Sequence, residues 1–266
     1  MIYSSAAAGA VAAETVCVEH LDGAPLSYMT SAAVDRLRWL ATAAAVLPTT
    51  TRTIEQFGRI RLPGAPWQYA ITSNGGNILV DGVPDPQWRR GIDAAVRAGG
   101  AGLTEIEAAL RARIDDSWVL KFRGADDLFC YLVVDSAATP PKFLADWDAW
   151  CRERGWSASR QGRKIYTMPL AVCKSRAVSE VRSRLVASGR LAAAAPTLAA
   201  GDGALDAEML AAADHAIRPR HGELEELGWT RPGLTVTTAA GIGAGEEILD
   251  WFTDALTDPA IAGVPG

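Results

Sequence analysis

The chain opens with alternating apolar and polar positions and then shifts to a helical period. Val16-Cys17-Val18-Glu19 and Leu26-Ser27-Tyr28-Met29 flank Asp22-Gly23, the pattern of two strands joined by a tight turn. Thr30 or Ser31 then caps a helix to about Ala43, with Val34, Leu37 and Leu40 on one face. Ala44-Ala45-Val46-Leu47 is continuously apolar, which predicts a strand buried on both faces. Pro48 ends it, and Thr49-Thr50-Thr51-Arg52 follows as a polar loop. A short helix is expected over 54–60. Tyr69-Ala70-Ile71-Thr72 and Ile78-Leu79-Val80 read as strands around the turn Ser73-Asn74-Gly75-Gly76-Asn77.

From Pro84 the texture changes. Helical periods occupy 86–98 and 104–114, strand patterns 118–123 and 129–134, then a helix 141–154 and a strand 156–160. An ααββαβ block enclosed by other α/β sequence predicts an inserted α/β cap domain over 84–162, with a core built from 1–83 and 163–266. Beyond it come a helix over 175–187, a strand over 197–200 broken by Gly201-Asp202-Gly203, a helix over 206–213 and a brief strand over 215–217. A last helix over 244–256 carries Ile248, Leu249, Trp251 and Phe252. This alternation predicts an α/β fold with a Rossmann-like, mostly parallel core sheet and helices on both faces.

Composition fits that class. The 266 residues are 49% hydrophobic and 21% charged, enough to build a core without disulfides or a structural metal. The net charge of −5 argues against a nucleic-acid or anionic-membrane partner. Cys17, Cys130, Cys151 and Cys173 form no C-x-x-C pair and sit at no zinc spacing, so four reduced thiols are expected. No apolar run reaches the roughly 18–20 residues of a membrane span. Residues 1–13 lack a basic n-region, so no signal peptide is read and a cytoplasmic location is expected.

In parallel sheets, ligands bind beyond the carboxyl ends of the strands. Thr50, Lys174 and Asp202 fall at such positions, and Asp206 lies four residues further on. Singly, each has a plain structural explanation: a capping hydroxyl, a solvated lysine, a turn, a helix N-cap. As a set they suit phosphoryl transfer. A hydroxyl and a lysine can hold phosphoryl oxygens, and two carboxylates can hold Mg2+, a hard cation that keeps several waters.

The ordered motifs resemble those of the haloacid dehalogenase (HAD) superfamily, in its capped branch of sucrose-phosphatase-like and Cof-like phosphatases. Thr50-Thr51-Arg52 resembles the second motif, usually Thr-Gly-Arg. Ile71-Thr72-Ser73-Asn74-Gly75-Gly76 resembles the turn that precedes the cap. Lys174 with Ala177 resembles the third-motif lysine and its helix. Gly201-Asp202-Gly203-Ala204-Leu205-Asp206-Ala207-Glu208-Met209-Leu210 resembles the fourth motif, Gly-Asp-Ser-x-x-Asp-x-x-Met-Leu, and is the most specific match. Thr51 for Gly and Gly203 for Ser are local departures. The resemblance implies a Mg2+-dependent phosphatase acting on a small phosphorylated metabolite. Thr50 and Lys174 would be catalytic, Asp202 and Asp206 would be metal residues, and Arg52 and Asn74 would lie near the substrate.

The family's first motif, Asp-x-Asp-x-Thr, carries its nucleophile and its general acid and base. No Asp-x-Asp precedes Thr50; the acids there are Glu14, Glu19, Asp22 and Asp35. Met1-Ile2-Tyr3-Ser4 fits the residues that follow Asp-x-Asp-Arg-Thr in related chains, so the expectation is a chain that starts just inside a longer protein. The missing strand would be central to the family's sheet, and phosphatase activity of this chain should be impaired. The alternative is a non-catalytic HAD-fold protein kept for binding or assembly. Gly241-Ile242-Gly243-Ala244-Gly245 reads as a helix-entry loop, not a dinucleotide site.

Overall fold

A computed structural model describes residues 3–4 and 14–257. The amino-terminal sheet contains β1 (Tyr3–Ser4), β2 (Thr15–Leu21) and β3 (Ala24–Thr30), in the order β1-β3-β2. Asp22 and Gly23 join β2 to β3 with φ of 51° and 79°, the left-handed geometry that matches strand twist in a two-residue hairpin. The register shifts around Glu19, and this bulge breaks the alternation of faces. Consecutive Val18 and Glu19 are therefore both buried.

Helix α1 (Ser31–Ala43) starts at Thr30, whose hydroxyl accepts from the Ala33 amide at 3.1 Å. It buries Val34, Leu37 and Leu40 against Val18 and Met29, each side chain worth about 1.5–3 kcal/mol relative to exposure. A short α2 (Ile54–Gly58) follows, closed by a reciprocal Thr53–Gln56 capping box. Then come β4 (Tyr69–Thr72), β5 (Asn77–Val80) and β6 (Val83–Pro84), paired antiparallel in that order.

The strand expected over residues 44–47 is not formed. Its flanking residues do run parallel beside β4: Ile71 N donates to Pro48 O at 2.8 Å, and Thr50 N donates to Ile71 O at 2.9 Å. Val46 packs with the α1 cluster while Leu47 packs with Ile71 and Ile78, as successive side chains of an extended segment do. Among the described residues, however, no strand pairs with its other edge, and Ala45 is exposed. An apolar run becomes a doubly buried strand only when partners flank it on both sides.

The inserted segment forms α3 (Pro86–Gly99), α4 (Leu103–Arg111), β7 (Val119–Ala125), β8 (Phe129–Val134), α5 (Phe143–Arg152), β9 (Trp156–Gln161) and β10 (Lys164–Pro169). Its strands make one antiparallel sheet, ordered β7-β8-β10-β9. The expected boundary at 162 falls in the hairpin turn between β9 and β10, so the sheet continues to Pro169. Ile106, Leu110, Trp147 and Cys151 from α4 and α5 pack on this sheet, and Trp147 Nε1 donates to Thr167 Oγ1 at 2.9 Å. Thr167 thus faces the helices, and Lys164 and Tyr166 alternate to the opposite side. At the β7–β8 turn, Asp126 ties this unit to the core. Its carboxylate accepts from the Ile54 amide at 3.0 Å, from Asn77 Nδ2 at 3.2 Å and from the Ser73 hydroxyl.

The chain then continues through α6 (Lys174–Ala187), β11 (Leu198–Ala200), α7 (Ala207–Ala212), β12 (His215–Arg218), α8 (Glu223–Glu226), β13 (Leu234–Val236) and α9 (Ile242–Thr257). Strands β11, β12 and β13 form a parallel sheet in chain order. Val178 of α6 touches both the Ala199–Leu210 cluster and the Ile71–Ile78 cluster, so one helix covers parts of both core sheets. Cys17, Cys130, Cys151 and Cys173 are all unpaired. Among the described residues no helix is long and apolar enough to cross a membrane.

Candidate active site

Lys174 is the first residue of α6, and only 6% of it is exposed. Its ammonium is paired with Asp206 Oδ1. The other oxygen, Asp206 Oδ2, accepts from the Asp202 amide at 3.1 Å and the Gly203 amide at 3.0 Å. The turn after β11 is therefore wrapped around one buried carboxylate. Gly201 permits this closeness, because a Cβ there would lie 2.4 Å from Asp206 Cβ. Both Asp206 oxygens are engaged, so the residue orients Lys174 and the turn. Asp202, by contrast, is exposed at the turn's tip.

Glu223, absent from the sequence reading, completes this corner. It sits at the start of α8, behind Gly222, and its Oε2 accepts from the Ala204 amide at 2.7 Å. Burial pushes its carboxyl above the usual value; the Ala204 amide opposes this, and Asp202, Glu226 and Asp206 add repulsion. The sequence signal was there, in a run of glutamates after a glycine, but such runs usually lie on solvated faces.

Thr50 and Asn74 meet the same region from the other core sheet. Thr50 O accepts from Asn74 N at 3.0 Å, and Thr50 Oγ1 accepts from the Arg52 amide at 3.1 Å. Asn74 is 2% exposed and left-handed, and its Nδ2 donates to Val172 O at 3.2 Å, two residues before Lys174. Its Oδ1 has no hydrogen-bond partner. Gly75 has φ of 99°, and a Cβ there would fall 2.2 Å from Cys173 O. The Thr50 loop, the Asn74 turn and the start of α6 are thus locked edge to edge.

Arg52 is tied to the amino-terminal hairpin. Its Nη1 pairs with Glu19 Oε1 at 2.5 Å, on a carboxylate that is fully buried in β2. The inserted unit contributes the roof. Burial pushes the Tyr166 hydroxyl up to about 12, with the Thr51 side chain opposing this. Gln161 reaches over Gly203: a Cβ at that glycine would lie 2.7 Å from the Gln161 amide nitrogen.

Chemically, the corner offers a fixed ammonium, an exposed carboxylate and a second carboxylate of raised pKa. Among the described residues no group of three His, Cys, Asp or Glu side chains is set to hold a metal. Asp202 and Glu223 are oxygen donors of the kind a hard divalent cation takes, and an ion held by them would complete its shell with water. Within ion-pair distance of Lys174, Asp206 is the one carboxylate among the described residues.

No protein-family model matches the sequence, and no curated protein matches it. Solved structures do match the fold. The sucrose-phosphatase of Synechocystis sp. PCC6803, solved with sucrose and phosphate, aligns with a TM-score of 0.61 at 16% identity, covering 83% of this chain and 91% of that one. A trehalose-6-phosphate phosphatase related protein aligns at 0.52 with 19% identity, covering 84% and 86%. A sugar phosphatase of HAD subclass IIB aligns at 0.53 with 10% identity, covering 85% and 92%. The chain has the fold of the capped HAD-superfamily phosphatases, a mixed α/β core with an inserted α/β unit.

Proposed function

We propose that this protein acts on a small phosphorylated metabolite as a Mg2+-dependent phosphatase of the HAD type. The observation that carries the reading is the buried Lys174–Asp206 pair clamped to the Asp202–Gly203 turn, a preorganised cation at a strand end. Lys174 would neutralise phosphoryl oxygens, and Thr50 would hold one of them. Asp202 would ligate Mg2+ through its exposed carboxylate, with Glu223 beside it and Asp206 as the orienting group. When bound, the metal would offset repulsion between phosphate and carboxylates. Asn74 fixes the Thr50 loop, and the inserted unit, with Tyr166 and Gln161, would select the leaving group. Thr50, Lys174 and Asp202 are expected within roughly 10 Å of one another, at the carboxyl ends of the core strands.

The covalent route needs an aspartate nucleophile, and no Asp-x-Asp precedes Thr50. The 266-residue chain is therefore expected to bind inorganic phosphate in the presence of Mg2+ but to hydrolyse an aryl phosphate very slowly. Placing a strand ending in Asp-x-Asp-Arg-Thr ahead of Met1 should restore turnover by several orders of magnitude. In that extended protein, Asp202→Asn and Lys174→Ala should each abolish most of it. Failure of the native chain to bind phosphate sinks the reading. Binding without any gain in turnover on extension favours the second reading, a non-catalytic HAD-fold protein. That reading draws on residues 1–49, which hold no Asp-x-Asp.

A further inference from the structure

A second charged cluster lies beside Tyr166 and Thr51. Glu19 is fully buried in β2, and Ser27 Oγ donates to its Oε2 at 2.6 Å. Its other oxygen, Oε1, faces two guanidinium groups: Arg52 Nη1 at 2.5 Å and Arg59 Nε at 3.8 Å. Arg59 Nε is itself buried and makes no hydrogen bond, although the outer end of that guanidinium reaches the exposed Glu55. Lys164 comes down from β10 of the inserted unit. It is half-buried over the Tyr131 ring at 5.3 Å, and among the described residues no carboxylate pairs with it. Burial, reinforced by Arg52, holds its ammonium below the usual lysine value, with Glu19 opposing.

Two arginines therefore hold one buried carboxylate, and Lys164 of the inserted sheet lies within electrostatic reach of both Arg52 and Glu19. Packing like charges in a half-dry site is unfavourable unless an anion joins them. One orphaned N–H and one unpaired ammonium are the donors such an anion would use.

We propose that Arg52, Arg59 and Lys164 form a subsite for a carboxylate on the substrate, so that the preferred substrate is a phosphomonoester of a small carboxylic acid. A carboxylate is favoured because the two arginine forks already hold one, Glu19, and planar guanidinium groups match that shape. The phosphoryl end of this assignment rests on the phosphatase reading above; the carboxylate end rests on the cluster alone.

Calorimetric titration of the 266-residue chain with Mg2+ tests it, using 3-phosphoglycerate, glycerol 3-phosphate and glycerate. The first should bind about tenfold or more tightly than the second, which has a hydroxymethyl group in place of the carboxylate. In Lys164→Met, and in Lys164→Gln as a second variant, the ratio of the two affinities should fall to about one. Equal affinities in the native chain, or a preference that survives both substitutions, overturns the subsite while the phosphatase reading stands. If neither ester binds, the phosphatase reading falls and glycerate decides. Glycerate binding that disappears in Lys164→Met upholds the carboxylate subsite; no glycerate binding removes it as well.

Discussion

Lys174 and Asp206 are 32 residues apart, yet they form a buried pair that joins the start of α6 to the turn after β11. The ammonium is held at a fixed place by a carboxylate whose other oxygen is spent on backbone amides. Removing one partner leaves an uncompensated charge in a site from which both are almost wholly excluded from water. Asp206→Ala should therefore destabilise the fold by about 3–5 kcal/mol, read from denaturant midpoints. A loss below about 1 kcal/mol would mean that the pair does not organise the turn.

Gly75 is where the Asn74 turn meets the entry to α6. Any side chain there meets Cys173 O in addition to the strain of φ 99°. Gly82 has a similar φ of 81° but open space around it. Gly82→Ala should cost only the left-handed strain, about 1–2 kcal/mol, and Gly75→Ala clearly more. Equal melting temperatures for the two variants would contradict the close approach.

Asp85 couples the start of the inserted unit to α6. Its carboxylate accepts from the Gln87 amide at 2.7 Å and the Trp88 amide at 3.1 Å, and pairs with Arg184 at 2.5 Å. Burial pushes its pKa up, but Arg184 and the two amides outweigh this and hold it below the usual carboxylate value. A depressed pKa stabilises the fold above the unfolded value of 3.8, and this gain disappears as pH falls through the folded value. Asp85→Ala should thus cost about 1 kcal/mol at pH 7. That deficit should shrink in denaturation curves taken progressively below the unfolded pKa. A deficit that is independent of pH would assign the effect to packing.

Two of the four thiols should be inert in the native state. Burial pushes Cys130 and Cys151 up to about 12, with Glu107 adding to the first and Asp148 to the second. At pH 8 the thiolate is then about one part in ten thousand at either site. A chromogenic disulfide reagent should react promptly with at most Cys17 and Cys173, which are half-buried, and with all four thiols after denaturation. Rapid reaction at Cys130 would show that the inserted sheet opens readily.

Local pattern was enough for the elements whose information is local. The Asp22-Gly23 hairpin, the Thr30-capped α1 and strands β7, β8 and β9 of the inserted sheet follow from turn chemistry, a capping hydroxyl and period-2 apolar runs. The candidates Thr50, Lys174, Asp202 and Asp206 come from the sequence because those residues punctuate apolar segments. Tertiary structure decided the rest. Residues 44–47 have the composition of a central strand, but a strand is a property of its partners, and one edge here has none among the described residues. Lys164–Pro169 joined the inserted sheet because it pairs with β9 across a hairpin turn and also with β8, whose distant register no local signal encodes. Glu19 became a buried ion-pair partner because a bulge turned it inward beside Val18. Glu223 joined the Asp202 corner through one bond to Ala204. Periodicity records which face a residue prefers; only the folded chain sets which charges meet on that face, and how far from water they do so.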